Sequence, residues 1–255
     1  MNQILVHEKV YVTPQIRSKR MFFKIEFILS ILVIMAVSLY GIYAAYDRNK
    51  SEAVSKEILE EMGDYQEKEK VEEQAIIIAL NKQDGGTVDF NDIETSTVEI
   101  EKRTSQKKEF VAKDGTKYYT NGKISIPQID CEYPILSSNT SNYETLLKIA
   151  PVKFYGADPN EVGNLCIVGH NYKNSQFFSK VPTLENGDKI EITDNFGDTV
   201  EYEVYDKYIT VNTDTSCTSQ LTNGKREVTL ITCTNANDEH RVIVKAKEVN
   251  SKVIN

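Results

Sequence analysis

An uncharged stretch at residues 27–46 separates a short basic N-terminus from the long remainder of the chain. At about 1.5 Å per residue, a helix of this length crosses the roughly 30 Å hydrocarbon core of a bilayer. A cleaved signal peptide usually has an apolar region of only about 7–15 residues, and its cleavage site needs small residues that the positions ahead of Ala44 and Ala45 do not supply. The stretch therefore predicts an uncleaved membrane anchor, with a cleaved signal as the alternative.

The charges beside this anchor predict its orientation. Residues 1–26 contain more Lys and Arg than Glu, and short basic flanks stay in the cytoplasm. We therefore expect a cytoplasmic tail at residues 1–26 and an extracellular location for the rest of the chain. The whole chain has a net charge of −8, with a positive excess only in the tail, which argues against nucleic acid as a partner.

The part beyond the anchor divides by composition. Residues 51–81 are rich in Glu, Lys and Ala, and apolar residues recur there at helical intervals, as at Ala53, Ile58, Met62 and Tyr65. Residues 83–113 are polar, with too few apolar side chains for a core. Residues 47–113 are therefore predicted to be a helical stalk followed by a polar linker, and residues 114–255 to be a single domain.

This domain is predicted to be mainly β. Short runs rich in β-branched residues alternate with turn signals, at residues 123–127, 133–136, 164–168, 189–193, 200–205, 228–233 and 241–249. Short helices are expected only at residues 141–149 and 175–179. Many short strands at this spacing indicate a closed barrel or a sandwich.

The cysteines do not indicate a metal site. Cys131, Cys166, Cys217 and Cys233 include no Cys-x-x-Cys pair and lack companion ligands at zinc-site spacing. A disulfide between two of them is permitted outside the cell. We expect no bound metal.

Three residues at predicted strand ends suggest thiol chemistry. His170 follows one strand, Cys233 ends another, and Arg241 begins the next. A thiol acts as a nucleophile when a nearby base or cation favours the thiolate, and His170 or Arg241 can supply that. A strand-ending cysteine is more often a buried apolar residue and a single histidine more often structural, so this spacing alone does not establish catalysis. His240 directly precedes Arg241, so its side chain should point to the opposite face of the strand.

Three motifs in the domain together resemble the sortase family, the membrane-anchored cysteine transpeptidases of Gram-positive bacteria. They are GKISIP at residues 122–127 with YPI at 133–135, GNLCIVGH at 163–170, and TLITC at 229–233 followed by Arg241. The resemblance covers roughly residues 122–249. It implies an eight-stranded β-barrel, no cofactor, catalysis by His170, Cys233 and Arg241, and a contribution of Thr232 and Asn171 to substrate binding.

The same resemblance implies a reaction and its partners. Cys233 would cleave a sorting signal of a secreted protein through a thioester, and the acyl group would pass to an amine of a cell-wall precursor or a pilin. Residues 169–174, GHNYKN, and the helical lead-in are similar to class B sortases, but the segment between the strands near Tyr208 and Glu227 is shorter than the insertion of that class. Two alternatives remain open: an extracellular cysteine hydrolase and a non-enzymatic wall-binding barrel.

Overall fold

The computed structural model describes residues 14–83, 107–137, 143–234 and 239–249. The chain divides into two compact units, Met1–Asn49 and Lys50–Asn255, and each is described by itself. The helix α1, Pro14–Gln83, begins in the first unit. Among the described residues, one helical segment, Met21–Gly63, is long and apolar enough to cross a membrane, judged by length and composition. The large apolar side chains described between residues 27 and 46 are exposed, as side chains that face lipid would be.

The described residues of the second unit contain the remainder of α1, a short helix and nine strands. The helix α2 is Tyr143–Leu147. The strands are β1 Lys108–Val111, β2 Lys117–Ile126, β3 Cys131–Ser137, β4 Val152–Gly156, β5 Gly163–Val168, β6 Lys189–Asp194, β7 Thr199–Val211, β8 Arg226–Cys233 and β9 His240–Glu248. Single turns of 3₁₀-helix lie at Pro127–Ile129, Val181–Thr183 and Ser216–Thr218.

Eight of these strands close into a barrel. Their order is β2-β3-β4-β5-β8-β9-β7-β6, and β6 pairs back onto β2. Within this ring β3–β4 and β5–β8 are parallel, and the other pairs are antiparallel. At the closure, a Cβ on Gly122 would clash with the carbonyl oxygen of Thr193, so the close approach of β2 to β6 requires glycine there. The predicted eight-stranded barrel is confirmed, and β1 adds to it as an extra strand on β2.

The predicted strands are all present, but two further strands were not foreseen. β4 lies between the predicted strands at residues 133–136 and 164–168, in a stretch where no strand was predicted. β1 lies within residues 83–113, the stretch expected to be a polar linker. In this strand Phe110 is buried and its neighbours are exposed or partly exposed, so the sequence shows no apolar run there. The boundaries at residues 26, 46 and 113 otherwise stay predictions.

The predicted short helices are only partly correct. α2 occupies the middle of residues 141–149, of which 141 and 142 lie outside the described residues. Residues 175–179 form no helix, because Phe177 adopts a positive φ of 50° and pairs with Asn171 as an isolated bridge. Phe177 and Phe178 are instead buried in the barrel core.

The described residues of this unit form three apolar clusters. The largest fills the barrel with inward side chains from the strands, such as Ile124, Ile135, Ile167, Leu230 and Val244. A second lies outside the barrel and combines α1 with β1 to β4 and α2. A third covers the outer face of β5, β8 and β9 and consists of Cys166, Cys217, Ile231 and Ile243.

Candidate active site

Cys233 and Arg241 are paired residues on neighbouring strands. The antiparallel register of β8 and β9 sets Cys233 directly opposite Arg241. Side chains of directly opposed residues share a face of the sheet, with Cβ atoms about 4.5–5.5 Å apart. The sulfur and the guanidinium therefore project from the same face at the same end of the barrel.

His170 reaches this position from the other side of β8. β5 and β8 are parallel, and Val168 pairs with Ile231. The backbone N–H of Gly169 donates to the carbonyl oxygen of Ile231 at 3.1 Å, which continues this register beyond the end of β5. Two residues beyond the Val168–Ile231 pair, the same parallel register sets His170 beside Cys233. His170, Cys233 and Arg241 thus form a row across three adjacent strand ends.

The row lies outside the barrel core. Side chains alternate along a strand, so Cys233 shares its face with Ile231, and Arg241 shares its face with Ile243. Ile231 and Ile243 belong to the third cluster, on the outer face. Cys233, His170 and Arg241 are partly exposed on this side of the barrel.

Thr232 and Asn171 join the two strand ends that carry His170 and Cys233. Thr232 is 1 % exposed, and its hydroxyl donates to the Gly169 carbonyl oxygen at 2.8 Å. The Asn171 side-chain amide donates to the Cys233 carbonyl oxygen at 3.0 Å. Both side chains therefore fix the distance between the segments that flank the thiol and the imidazole. Their predicted role in substrate binding stays a prediction.

An aromatic residue missed by the sequence analysis lies beside His170. The ring of Tyr172 is 4.9 Å from the imidazole between centroids and 5.6 Å from the ring of Phe177. The backbone N–H of Phe178 donates to the His170 carbonyl oxygen at 3.1 Å. The signal was present in the sequence as an aromatic residue two positions after the histidine, but the ring contact depends on the turn at residues 171–178.

The β7–β8 loop borders the other end of the row. Thr210 is the partner of Arg241 in the β7–β9 register, and its hydroxyl donates to Asp214 at 2.6 Å. Hydrogen bonds from Thr210 and Ser216 hold the pKa of Asp214 below its usual value. The loop is also held by Asn164 on β5, because its side-chain amide donates to the Cys217 carbonyl oxygen at 3.0 Å.

The other three cysteines are unsuited to nucleophilic chemistry. Cys131, Cys166 and Cys217 are buried, whereas Cys233 is partly exposed, and all four are free thiols. Burial raises the pKa of Cys131 and that of Cys166 to about 12, and it also raises the pKa of Cys217. These three groups remain protonated thiols at neutral pH.

His240 lies apart from the row. It pairs with Val211 at the start of β9, and its position next to Arg241 directs its side chain to the other face of the strand. Its carbonyl oxygen accepts a 3.2 Å hydrogen bond from the Arg241 guanidinium. The backbone of His240 therefore helps to orient Arg241.

The chain is similar to known sortases over its barrel. The family model described as the sortase domain matches residues 124–249. Sortase A of Bacillus anthracis is 35% identical over 132 residues, which cover 50% of this chain and 59% of that protein. This chain thus spans less than two thirds of the length of that curated relative.

Solved structures give related matches. The sortase D5 transpeptidase of Clostridium perfringens is 32% identical, with 51% of this chain and 79% of that chain covered and a TM-score of 0.45. Sortase A from Corynebacterium diphtheriae is 29% identical, with 53% and 63% covered and a TM-score of 0.47. Residues 124–249 of the chain are a sortase domain.

Proposed function

We propose that this protein is a membrane-anchored cysteine transpeptidase that joins secreted proteins to an amine at the cell surface. The observation that carries the proposal is the row of His170, Cys233 and Arg241 on three adjacent strand ends. A nucleophile, a proton carrier and a fixed positive charge lie side by side on one accessible face. This is the set of groups that acyl transfer through a thioester needs.

The first half of the reaction breaks a peptide bond. The Cys233 thiolate attacks the carbonyl carbon of a threonine in the sorting signal and forms a tetrahedral intermediate. When this intermediate collapses, the C–N bond breaks and His170 protonates the departing amine. The sulfur then holds the acyl group as a thioester.

The second half forms a new amide. An amine of a cell-wall precursor or of a pilin attacks the thioester carbonyl, and His170 takes the proton that the amine loses. Collapse of the second intermediate breaks the C–S bond and returns the Cys233 thiolate. No electrons are exchanged, and no cofactor is required by this chemistry.

Arg241 acts on the oxygen that becomes negative in each intermediate. Its guanidinium stays charged at all relevant pH values and presents several N–H donors in a planar fork. Its pairing with Cys233 in the β8–β9 register supports a position beside the carbonyl that the sulfur attacks. A fixed donor aimed at a developing oxyanion is typically worth on the order of 10²–10³ in turnover.

Thr232 and Asn171 serve this site as positioning residues. Each links the β5 end to the β8 end, and neither hydrogen bond involves an atom that the reaction would change. The substrate-binding role expected from the resemblance can therefore be carried out indirectly. A fixed spacing between imidazole and sulfur favours proton transfer in the reacting geometry.

The apolar helix and its basic flank support a reaction at the outer surface of the cell membrane. The apolar helix at residues 27–46 and the basic flank before it support a cytoplasmic N-terminus and an extracellular barrel. The proposed substrates are secreted proteins with a sorting signal, which emerge on that side. A thiol protease that transfers to water would use the same residues, so hydrolysis is the competing activity.

Product analysis distinguishes these activities. We would incubate the full-length protein in nanodiscs with a library of sorting-signal peptides and a biotinylated amine, then identify products by mass spectrometry. Transpeptidation predicts peptides cut after threonine that carry the amine. Products that end in a free acid at every amine concentration would identify a hydrolase, and cleavage retained in Cys233→Ala would exclude the proposed nucleophile.

A further inference from the structure

The first turns of α1 beyond Lys50 are an integral part of the barrel domain. Ile58 and Met62 are 1 % and 2 % exposed. They pack in the second apolar cluster against residues from the barrel and its flanking elements, including Phe110, Tyr118, Leu136, Leu147 and Val152. The start of the predicted helical stalk therefore packs against the domain by its apolar face.

Two glutamates extend from this anchored segment to different parts of the domain. Glu57 accepts a 2.9 Å hydrogen bond from the backbone N–H of Lys113, in the turn between β1 and β2. Glu52 accepts a hydrogen bond from the side-chain amide of Gln176, and its other oxygen pairs with Lys56 at 3.2 Å. Only the Glu52 contact reaches the segment that follows His170.

Gln176, which contacts Glu52, also belongs to a hydrogen-bond network within residues 172–179. Its side-chain oxygen accepts from the Asn174 amide at 2.8 Å, and its backbone N–H donates to Asn174 at 3.0 Å. The Ser179 hydroxyl donates to the same Asn174 oxygen at 3.3 Å. The backbone N–H of Tyr172 in turn donates to the Ser179 hydroxyl at 3.1 Å. The network thus leads from the helix to the residue whose ring lies beside His170.

The backbone of this segment needs such support. Lys173 and Phe177 both adopt positive φ values, of 56° and 50°. Residues other than glycine keep this conformation only where the surrounding structure holds them. Phe177 is held by the core. The exposed Lys173 is followed along the chain by Asn174 and Gln176, which are hydrogen-bonded to each other, and Gln176 also contacts Glu52 of α1.

We propose that Glu52 on α1 is a positioning residue for His170, acting through Gln176 and the segment 171–179. The helix that follows the membrane anchor thereby tunes the site from a different part of the sequence. This inference rests on the proposed function in one respect, namely that His170 carries protons in the reaction. The contact itself is independent of that role and can be tested without turnover.

Matched alanine variants in the full-length protein separate positioning from general stability. Glu52→Ala removes the link to Gln176, whereas Glu57→Ala removes a contact of the same helix with the β1–β2 turn. A misplacement of about 1 Å can cost on the order of 10² in rate, and we expect a smaller displacement here, so kcat should fall about tenfold in Glu52→Ala. KM should stay unchanged, because the helix contact does not touch the substrate. Glu57→Ala should keep the parental kcat.

A double variant provides the rescue. In Glu52→Gln with Gln176→Glu the donor and acceptor exchange places, and the hydrogen bond can re-form. The kcat should then return to within about threefold of the parent, more than Gln176→Glu alone allows, because that single variant sets two carboxylates against each other. A double variant that remains as slow as Glu52→Ala would contradict the proposal, as would a parental kcat in Glu52→Ala.

Hydrogen exchange gives a readout that does not depend on catalysis. Peptides covering residues 171–179, which include the Tyr172 and Phe178 amides, should exchange several-fold faster in Glu52→Ala and unchanged in Glu57→Ala. Unaltered exchange in Glu52→Ala would refute the coupling. If the parent protein failed to transpeptidate any peptide, the proposed function would fail, while this exchange result would still decide whether Glu52 holds the segment.

Discussion

The Thr232 hydroxyl donates a 2.8 Å hydrogen bond to the carbonyl oxygen of Gly169. This bond joins the residue immediately before Cys233 to the residue immediately before His170. Because Thr232 is almost completely buried, the bond is shielded from water. The thiol and the imidazole are therefore kept level by a contact on the inner face of the sheet, opposite to the face that carries them.

Removal of this hydroxyl should weaken both stability and turnover. Thr232→Val keeps the shape of the side chain but leaves the Gly169 carbonyl without this donor, a loss of about 1–3 kcal/mol for a buried group. We expect a lower midpoint in urea unfolding and a reduced kcat. Thr232→Ser, which restores the donor, should recover most of the kcat. A Thr232→Val protein with the parental kcat would show that the strand ends keep their spacing without this bond.

Arg241 should depend on its geometry as well as its charge. Arg241→Lys keeps the positive charge but loses the planar fork, and both Arg241→Lys and Arg241→Ala should lose on the order of 10²–10³ in turnover. His240→Ala is the control, since it removes a side chain on the opposite face and leaves the backbone carbonyl that Arg241 contacts. Steady-state rates on a cleaved reporter peptide test this. A lysine variant near the parental rate would reduce Arg241 to a general electrostatic role.

Thiol labelling should be restricted to Cys233 in the folded protein. Burial raises the pKa values of Cys131, Cys166 and Cys217, so these thiols are protonated at neutral pH and also inaccessible. Iodoacetamide at pH 7.5 should modify one site, mapped by peptide mass spectrometry, and abolish turnover. In urea all four thiols should react. Fast labelling of Cys166 under native conditions would contradict the described packing of the third cluster.

Truncation of Ile58 should destabilise the barrel domain. Its side chain is buried in the second cluster, and replacing a buried isoleucine by alanine costs about 2–5 kcal/mol. The exposed Glu61→Ala variant serves as the control on the same helix. Unfolding of the domain should move to lower urea for Ile58→Ala only. Equal midpoints for both variants would mean that this helix segment behaves as a free stalk.

The strands could be predicted where the sequence displays short runs of apolar and β-branched residues bounded by turn signals. The run at residues 228–233 and the run at 164–168 are both rich in β-branched or apolar residues and became β8 and β5. β4 was missed because only its first residue, Val152, is buried, so its sequence resembles a loop. Residues 175–179 were misassigned because two consecutive phenylalanines resemble a helical segment, whereas their burial depends on a positive φ at Phe177.

In the candidate site, too, one contact could be predicted from local sequence and another could not. The proximity of Cys233 and Arg241 follows from a short antiparallel connection, which local sequence suggests. The proximity of His170 and Cys233 depends on parallel pairing between strands more than sixty residues apart, which periodicity does not specify. That part of the prediction came from family resemblance. The packing of Ile58 and Met62 against the barrel domain could not be predicted for a related reason. Helical spacing identifies an apolar face but does not identify the surface that covers it.

The proposed mechanism depends above all on a thioester at Cys233. The most direct measurement is intact-mass analysis of the full-length protein, quenched in acid during reaction with a sorting-signal peptide, followed by peptide mapping of the adduct. We predict an added mass equal to the acyl part of the peptide, located on Cys233, which disappears when a reactive amine is supplied and is absent in Cys233→Ala. An acyl adduct on another residue, or peptide turnover in Cys233→Ala, would contradict the account.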